Sequence, residues 1–171
     1  GVIDSKDRVV IGRWSAKFTG GMNLTLKYKN FTLFAMLTGQ FGGNAIKNDT
    51  YNWVYGERKY SDVVLGAWTE SKYKNGESIT YPRLTTQSGD NNFNTSDYWM
   101  YSTDRIDLSR VQLTYDFSKS LFGDNALVKG LQVYVNGSSL LTIAGERKQM
   151  ERNVGSAPQT RSFTIGAKVE F

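Results

Sequence analysis

Apolar residues recur at every second position along this chain. The final segment shows it most plainly: Phe163, Ile165, Ala167, Val169 and Phe171 alternate with Thr164, Gly166, Lys168 and Glu170. A period of two places successive side chains on opposite faces of an extended strand. The same period runs through "KFTGGMNLTLKYKNFTLFAMLTGQF" (residues 17–41), where two strands meet at Lys29-Asn30. A two-residue loop pairs Tyr28 with Phe31, and the register then follows outward. Leu26 falls opposite Leu33, Leu24 opposite Ala35, Met22 opposite Leu37, Gly20 opposite Gly39 and Phe18 opposite Phe41. That face is apolar throughout. The other pairs Lys27 with Thr32, Thr25 with Phe34 and Asn23 with Met36, and is more polar. Asn30 supplies a residue tolerant of the positive φ that such a turn needs.

A third strand is predicted in "DRIDLSRVQLTYDFS" (104–118). Val111, Leu113, Tyr115 and Phe117 share one parity there, and Ile106 and Leu108 the other. The slip near Ser109-Arg110 predicts a β-bulge. A fourth strand lies in "KGLQVYVNGSSLLTIA" (129–144), with Leu131, Val133 and Val135 on one face and Gln132, Tyr134 and Asn136 on the other. The expected strands therefore lie near 17–29, 31–46, 105–117, 129–144 and 159–171.

The connections alternate in kind. A two-residue turn is followed by a long stretch over 47–104, a compact one over 118–128 and a longer polar one over 145–158. Short turns at one end and long loops at the other mark an outer-membrane barrel, and strands of roughly 10–13 residues suit a bilayer. Tyr28, Phe31, Tyr115, Phe117 and Phe171 gather at the turn end, where an interfacial aromatic girdle belongs. The expected class is all-β: an antiparallel transmembrane β-barrel sector spanning 1–171, with 47–104 and 145–158 as extracellular loops. About five strands cannot close a barrel; about eight is the usual minimum. An open edge in lipid leaves backbone groups unsatisfied. The missing wall must come from an N-terminal portion or from another chain, and Gly1 in place of an initiator Met fits a processed or truncated chain. Two alternatives compete: a soluble β-sandwich that binds glycans, and a structural split-barrel subunit.

Composition narrows the chemistry. Cysteine and histidine are both absent. That removes disulfides, thiol catalysis, the commonest general base and the commonest metal ligand. The net charge of +5 is modest and spread along the chain, so nucleic acid is not an expected partner. The mean hydropathy of −0.45 is compatible with alternating barrel strands. Asp104 with Asp107, and Asp90 with Asp97, are the nearest carboxylate pairs for glycosidase work. Neither sits in a catalytic context, and no enzyme activity is expected. "GDNN" (89–92) lacks the spacing of a calcium loop, so no metal or other cofactor is expected.

The 47–104 stretch is dense in Tyr and Trp among polar residues, a mixture that suits sugar stacking or a protein partner. Trp68, Asp97 and Trp99 are its candidate substrate- or partner-facing residues. The candidate lumen-lining residues are Asn23, Lys27, Gln132, Tyr134, Asn136, Lys168 and Glu170, which share the polar parity of their strands.

Several stretches carry a resemblance: "DRVVIG" (7–12), residues 17–46, "AWTES" (67–71), "YPRLT" (81–85), "NNFNTSDYWM" (91–100), "DRIDLSRVQLTYDFSKSLF" (104–122), "LQVYVNGSSLLTI" (131–143) and "PQTRSFTIGAKVEF" (158–171). In this order they resemble the C-terminal end of a SusC/RagA-type TonB-dependent transporter of Bacteroidetes outer membranes. The resemblance implies a barrel of about 22 strands around an N-terminal plug. It implies a SusD-like surface lipoprotein as lid, and TonB-driven import of oligosaccharides or oligopeptides. It also implies that Phe171 ends the signal read by the barrel-assembly machinery. The plug and the TonB-contacting segment are not among these residues. The lipid bilayer, the rest of the barrel, the lipoprotein, TonB and that machinery are the expected partners.

Overall fold

The computed structural model describes residues 4–87, 91–117, 122–123, 127–152, 154 and 157–171. Five long strands form one antiparallel sheet: β1 (Phe18–Tyr28), β2 (Phe31–Phe41), β5 (Arg105–Asp116), β6 (Gly130–Ile143) and β7 (Ser162–Glu170), in that spatial order. Each strand pairs with the next long strand in sequence, so the sheet is an up-and-down meander. β1 and β7 are its open edges.

The first hairpin has the register that the alternation predicts. Tyr28 lies opposite Phe31, Leu26 opposite Leu33, Leu24 opposite Ala35 and Phe18 opposite Phe41. The positive φ of its turn, 50°, falls on Lys29 rather than on Asn30. The predicted bulge is present. β5 loses step with β2 between the partners of Met36 and Leu37, and with β6 between Leu108 and Arg110. Against β2, Ser109 is the extra residue and resets the apolar parity; against β6 the surplus lies on β6, where Ser139 and Leu140 stand between the partners of Arg110 and Leu108.

Cross-strand partners share a face, so the rows can be followed across the sheet. Leu26, Leu33, Leu113, Val135 and Ile165 form one apolar row, and Leu24, Ala35, Val111, Gly137 and Phe163 the next. Phe31, Tyr115 and Phe117 stack at the turn end, with ring centroids 4.7 and 4.9 Å apart. Among the described residues nothing covers this face: Ile165 is 81% exposed and Phe163 71%. The soluble β-sandwich alternative requires a second sheet here. Among the described residues the other sheet is a ribbon of two three-residue strands, β3 (Asn44–Ile46) and β4 (Met100–Ser102). It is too short to cover eleven-residue strands, and the sandwich reading is overturned.

The compact core lies elsewhere. Among the described residues the buried hydrophobic side chains are Val54, Ala67, Tyr81, Phe93 and Trp99, all between β2 and β5. That stretch forms a lobe. The ribbon ties its ends, and short helices α1 (Asp49–Asn52) and α2 (Glu70–Lys74) lie within it. Asn48 and Thr69 cap these helices, accepting from the N–H groups of Tyr51 and Lys72. The 145–161 connection carries a further short helix, α3 (Arg147–Met150). Most of the 118–128 connection lies outside the described residues, as do Gly1, Gly89 and Asp90.

Candidate functional site

The polar face of the sheet is a continuous hydrogen-bonded surface centred on β5. At the loop end, Arg105 Nε meets Asp107 Oδ2 at 2.9 Å, and Thr142 donates to the other oxygen of Asp107 at 2.6 Å. Beside the bulge, the Thr38 and Ser109 hydroxyls lie 2.7 Å apart. Arg110 donates to Asn136 at 2.8 Å and to Gln112 at 2.9 Å, and Gln112 donates to Thr114 at 3.1 Å. Towards the turn end, Gln132 donates to Asp116 at 2.5 Å. Arg105, Asp107, Arg110 and Asp116 thus each have a side-chain partner on this wall.

All seven candidate lumen residues fall on this face. Lys27 joins the row Thr32, Thr114, Tyr134 and Gly166, and Asn23 faces Met36. Asn136 is fixed by Arg110. Gln132, Lys168 and Glu170 gather with Asp116 around a shallow cleft at the turn end. Asn23 and Lys27 stand apart from that cleft on the edge strand β1, exposed. Arg105, Arg110 and Gln112 stand on this face as well, although they are not among the candidates. Their signal was present: once the bulge at Ser109 resets the parity, 110, 112, 114 and 116 become the polar row. Phe34 and Met36 also lie on this face, so the wall is not uniformly polar.

The lobe sorts the loop candidates. Trp99 is only 2% exposed and its indole N–H donates to the carbonyl of Asn92 at 2.8 Å. Its ring packs among Trp53, Tyr81, Phe93 and Tyr98. The expectation that Trp99 faces substrate or partner is therefore corrected: a large aromatic in a long polar loop is used to hold the loop together. Trp68 is 38% exposed, with its backbone N–H bound to the carbonyl of Tyr81. Asp97 is exposed and accepts from the N–H of Tyr98 at 2.9 Å. The Tyr81 hydroxyl is a second internal tie, donating to the carbonyl of Asn52 at 2.7 Å and accepting from the N–H of Val54 at 3.0 Å.

Four lobe tyrosines are held in the neutral form. Burial pushes up the pKa of Tyr81, Tyr98 and Tyr101. For Tyr51 the hydrogen bond to Asp62 is the main cause, followed by burial, with Arg152 opposing. Arg152 lies over the Tyr51 ring at 3.8 Å, and Asn48 reaches the carbonyl of Val154 at 3.5 Å. These contacts fasten the 145–161 connection to the lobe. The carboxylate pairs serve structure. Asp104 accepts from the N–H of Gly42 at 2.6 Å, and Asp107 is taken by Arg105 and Thr142. Among the described residues no group of acidic side chains is placed to hold a metal ion.

An exposed apolar face backed by a hydrogen-bonded polar face is the arrangement of a barrel wall. Comparison with known proteins bears on which barrel. No family model matches the chain. It is 28% identical to a chain of the RagAB peptide importer in its open-open state, with a TM-score of 0.67, and 26% identical to one of the RagAB peptide transporter, with a TM-score of 0.70. Each match covers 90% of this chain and 17% of the other. The chain resembles a barrel segment of a SusC/RagA-type TonB-dependent receptor.

Two receptors of Formosa agariphila agree. TonB-dependent receptor P3 is 22% identical over 191 aligned positions, and TonB-dependent receptor P39 is 24% identical over 185. These alignments take in 100% and 98% of this chain but only 18% and 17% of the relatives. The chain thus spans less than a fifth of the receptors it resembles. The five strands correspond to a sector of a β-barrel, with the row Leu26, Leu33, Leu113, Val135, Ile165 on its apolar face.

Proposed function

We propose that this chain is the C-terminal barrel sector of an outer-membrane, TonB-dependent importer. The receptor takes up oligopeptides or oligosaccharides together with a SusD-like surface lipoprotein. The observation that carries the reading is the two-faced five-stranded sheet with open edges, whose similarity to the RagAB peptide importer extends over 90% of the chain. The apolar rows form lipid-facing wall. Asn23, Lys27, Gln132, Tyr134, Asn136, Lys168 and Glu170 line the lumen against the plug and the solute path. The lobe over 47–104 and the 145–158 loop stand at the extracellular mouth, where Trp68 and Asp97 meet the solute or the lipoprotein. β7 and the adjoining Phe171 carry the signal read by the barrel-assembly machinery. The role is transport, with no bond made or broken. Peptide cargo is favoured over glycan, since the similar solved complexes are peptide importers.

The test is uptake by cells that carry or lack the full receptor, using fluorescent oligopeptides and oligosaccharides of equal size. Receptor- and TonB-dependent entry of either cargo is expected. Equal entry into both strains would sink the reading. Mass spectrometry of the intact native polypeptide decides between one long chain and a split barrel.

A further inference from the structure

A cleft of about 700 Å³ lies where β5, β6 and the 145–161 connection meet. Three arginines, Arg105, Arg147 and Arg161, border it, with Asp107, Thr142 and Glu151. Two irregularities shape it. Ser109 is the bulge residue of β5, and Ser139 bends β6 with a φ of 55°; both line the cleft. Bulges and strained residues are concentrated at such functional edges.

The charges in the cleft are unequal. Arg105 pairs with Asp107 and Arg147 with Glu151, at 2.9 and 2.7 Å. Both contacts are made through Nε. The terminal guanidinium nitrogens of both side chains make no hydrogen bond among the described residues, and Arg161 makes no ion pair there. Two carboxylates thus answer three guanidinium groups, and the excess is a planar fork shaped for a carboxylate or a similar oxyanion. The hydroxyl of Thr142 is already committed to Asp107, so the arginines dominate what the cleft offers a ligand. A neutral oligomer gains nothing from this arrangement.

Resting on the import reading, we propose that this cleft is a subsite for an anionic group, a carboxylate or a similar oxyanion, on the imported oligomer. Arg161 supplies the unpaired charge, and the forks of Arg105 and Arg147 complete the grip. The carboxylate is either a peptide's acidic side chain or an acidic sugar's, and the same chemistry binds both.

The experiment uses the purified full-length receptor in detergent and two isosteric pairs of probes: tetraglutamate against tetraglutamine, and tetragalacturonate against its methyl ester. Calorimetric titration is expected to show one acidic probe binding about tenfold more tightly than its neutral partner. The pair that shows it identifies the source of the carboxylate. Arg161→Glu should abolish that preference, Arg161→Lys should retain most of it, and added salt should weaken it. Arg161 is exposed, so its variants are expected to fold; unchanged resistance of the barrel to dissociation in detergent checks this. Absence of a charge preference in both pairs, or a preference that survives Arg161→Glu, overturns the proposal. A receptor that keeps its charge preference but transports nothing refutes import and leaves the subsite standing. One that transports without discriminating charge does the reverse.

Discussion

The ring of Tyr134 lies across Gly166 on the neighbouring strand. A Cβ added at Gly166 would stand 2.4 Å from Cζ and 2.5 Å from the hydroxyl of Tyr134. The two residues are direct cross-strand partners between β6 and β7. The aromatic ring covers the backbone that glycine leaves bare, a known way of restoring packing to a glycine in a sheet. Gly166→Val should therefore destabilise the barrel by about 1–3 kcal/mol, because the ring must leave its place. Tyr134→Ala alone should cost less, and the double variant should recover most of the Gly166→Val loss. Urea unfolding of the receptor in detergent checks this. Simple additivity of the two substitutions would show that the ring and the glycine do not interact.

The lobe should come apart independently of the sheet. Trp99 and Tyr81 hold its core, and no lobe residue is part of the long-strand ladder. Trp99→Ala should cost about 3–5 kcal/mol of lobe stability through the cavity it leaves. Tyr81→Phe should cost about 1–3 kcal/mol, since the buried carbonyl of Asn52 and N–H of Val54 lose their partner. Limited proteolysis should cut both variants within 47–104 while the barrel band persists. Loss of the barrel in either variant would mean that lobe and wall are one cooperative unit.

Alkaline pH should act on the same lobe. Tyr81, Tyr98 and Tyr101 are raised above the ordinary 10.0 chiefly by burial, and Tyr51 chiefly by its hydrogen bond to Asp62. A raised pKa means that the folded lobe holds these protons more tightly than the unfolded chain. Their contribution is complete below 10.0 and is lost as pH rises from there through the raised values. Proteolytic cutting of the lobe should accelerate as the pH is raised above 10.0, and Tyr98→Phe should blunt that acceleration. An identical cutting rate across this window would contradict the burial of these hydroxyls.

The strands were legible because each carries its own parity. Leu26 opposite Leu33 follows from counting outward from a two-residue turn, and the bulge at Ser109 follows from one break in the alternation. Trp99 was not legible. Nothing local distinguishes a loop aromatic that packs inward from one that points out. The difference lies in contacts with Phe93, Tyr81 and Trp53 that only the folded lobe creates. The turn at Lys29 shows the same limit on a smaller scale. Asn30 is the residue better suited to positive φ, but the twist of the flanking strands assigns that conformation to its neighbour. The arginine cleft was also hidden, since Arg105, Arg147 and Arg161 are brought together only by the pairing of β5, β6 and β7.

The facing of the sheet is open to a direct test at adjacent residues. Leu24 and Asn23 are neighbours near the middle of β1. Leu24 shares a row with Ala35, Val111 and Phe163, and Asn23 faces Met36 on the polar side. An arginine on the lipid face near the bilayer midplane costs about 2–4 kcal/mol, whereas the lumen tolerates it. Leu24→Arg should thus destabilise the reconstituted receptor by about that amount, and Asn23→Arg should be close to neutral. The pair shares one depth, one strand and one added charge, so the difference reports facing alone. Reconstitution into bilayers rather than micelles matters, because detergent rearranges around a misplaced charge and hides the penalty. Equal destabilisation by both, or a larger loss from Asn23→Arg, would show that the apolar row does not face lipid.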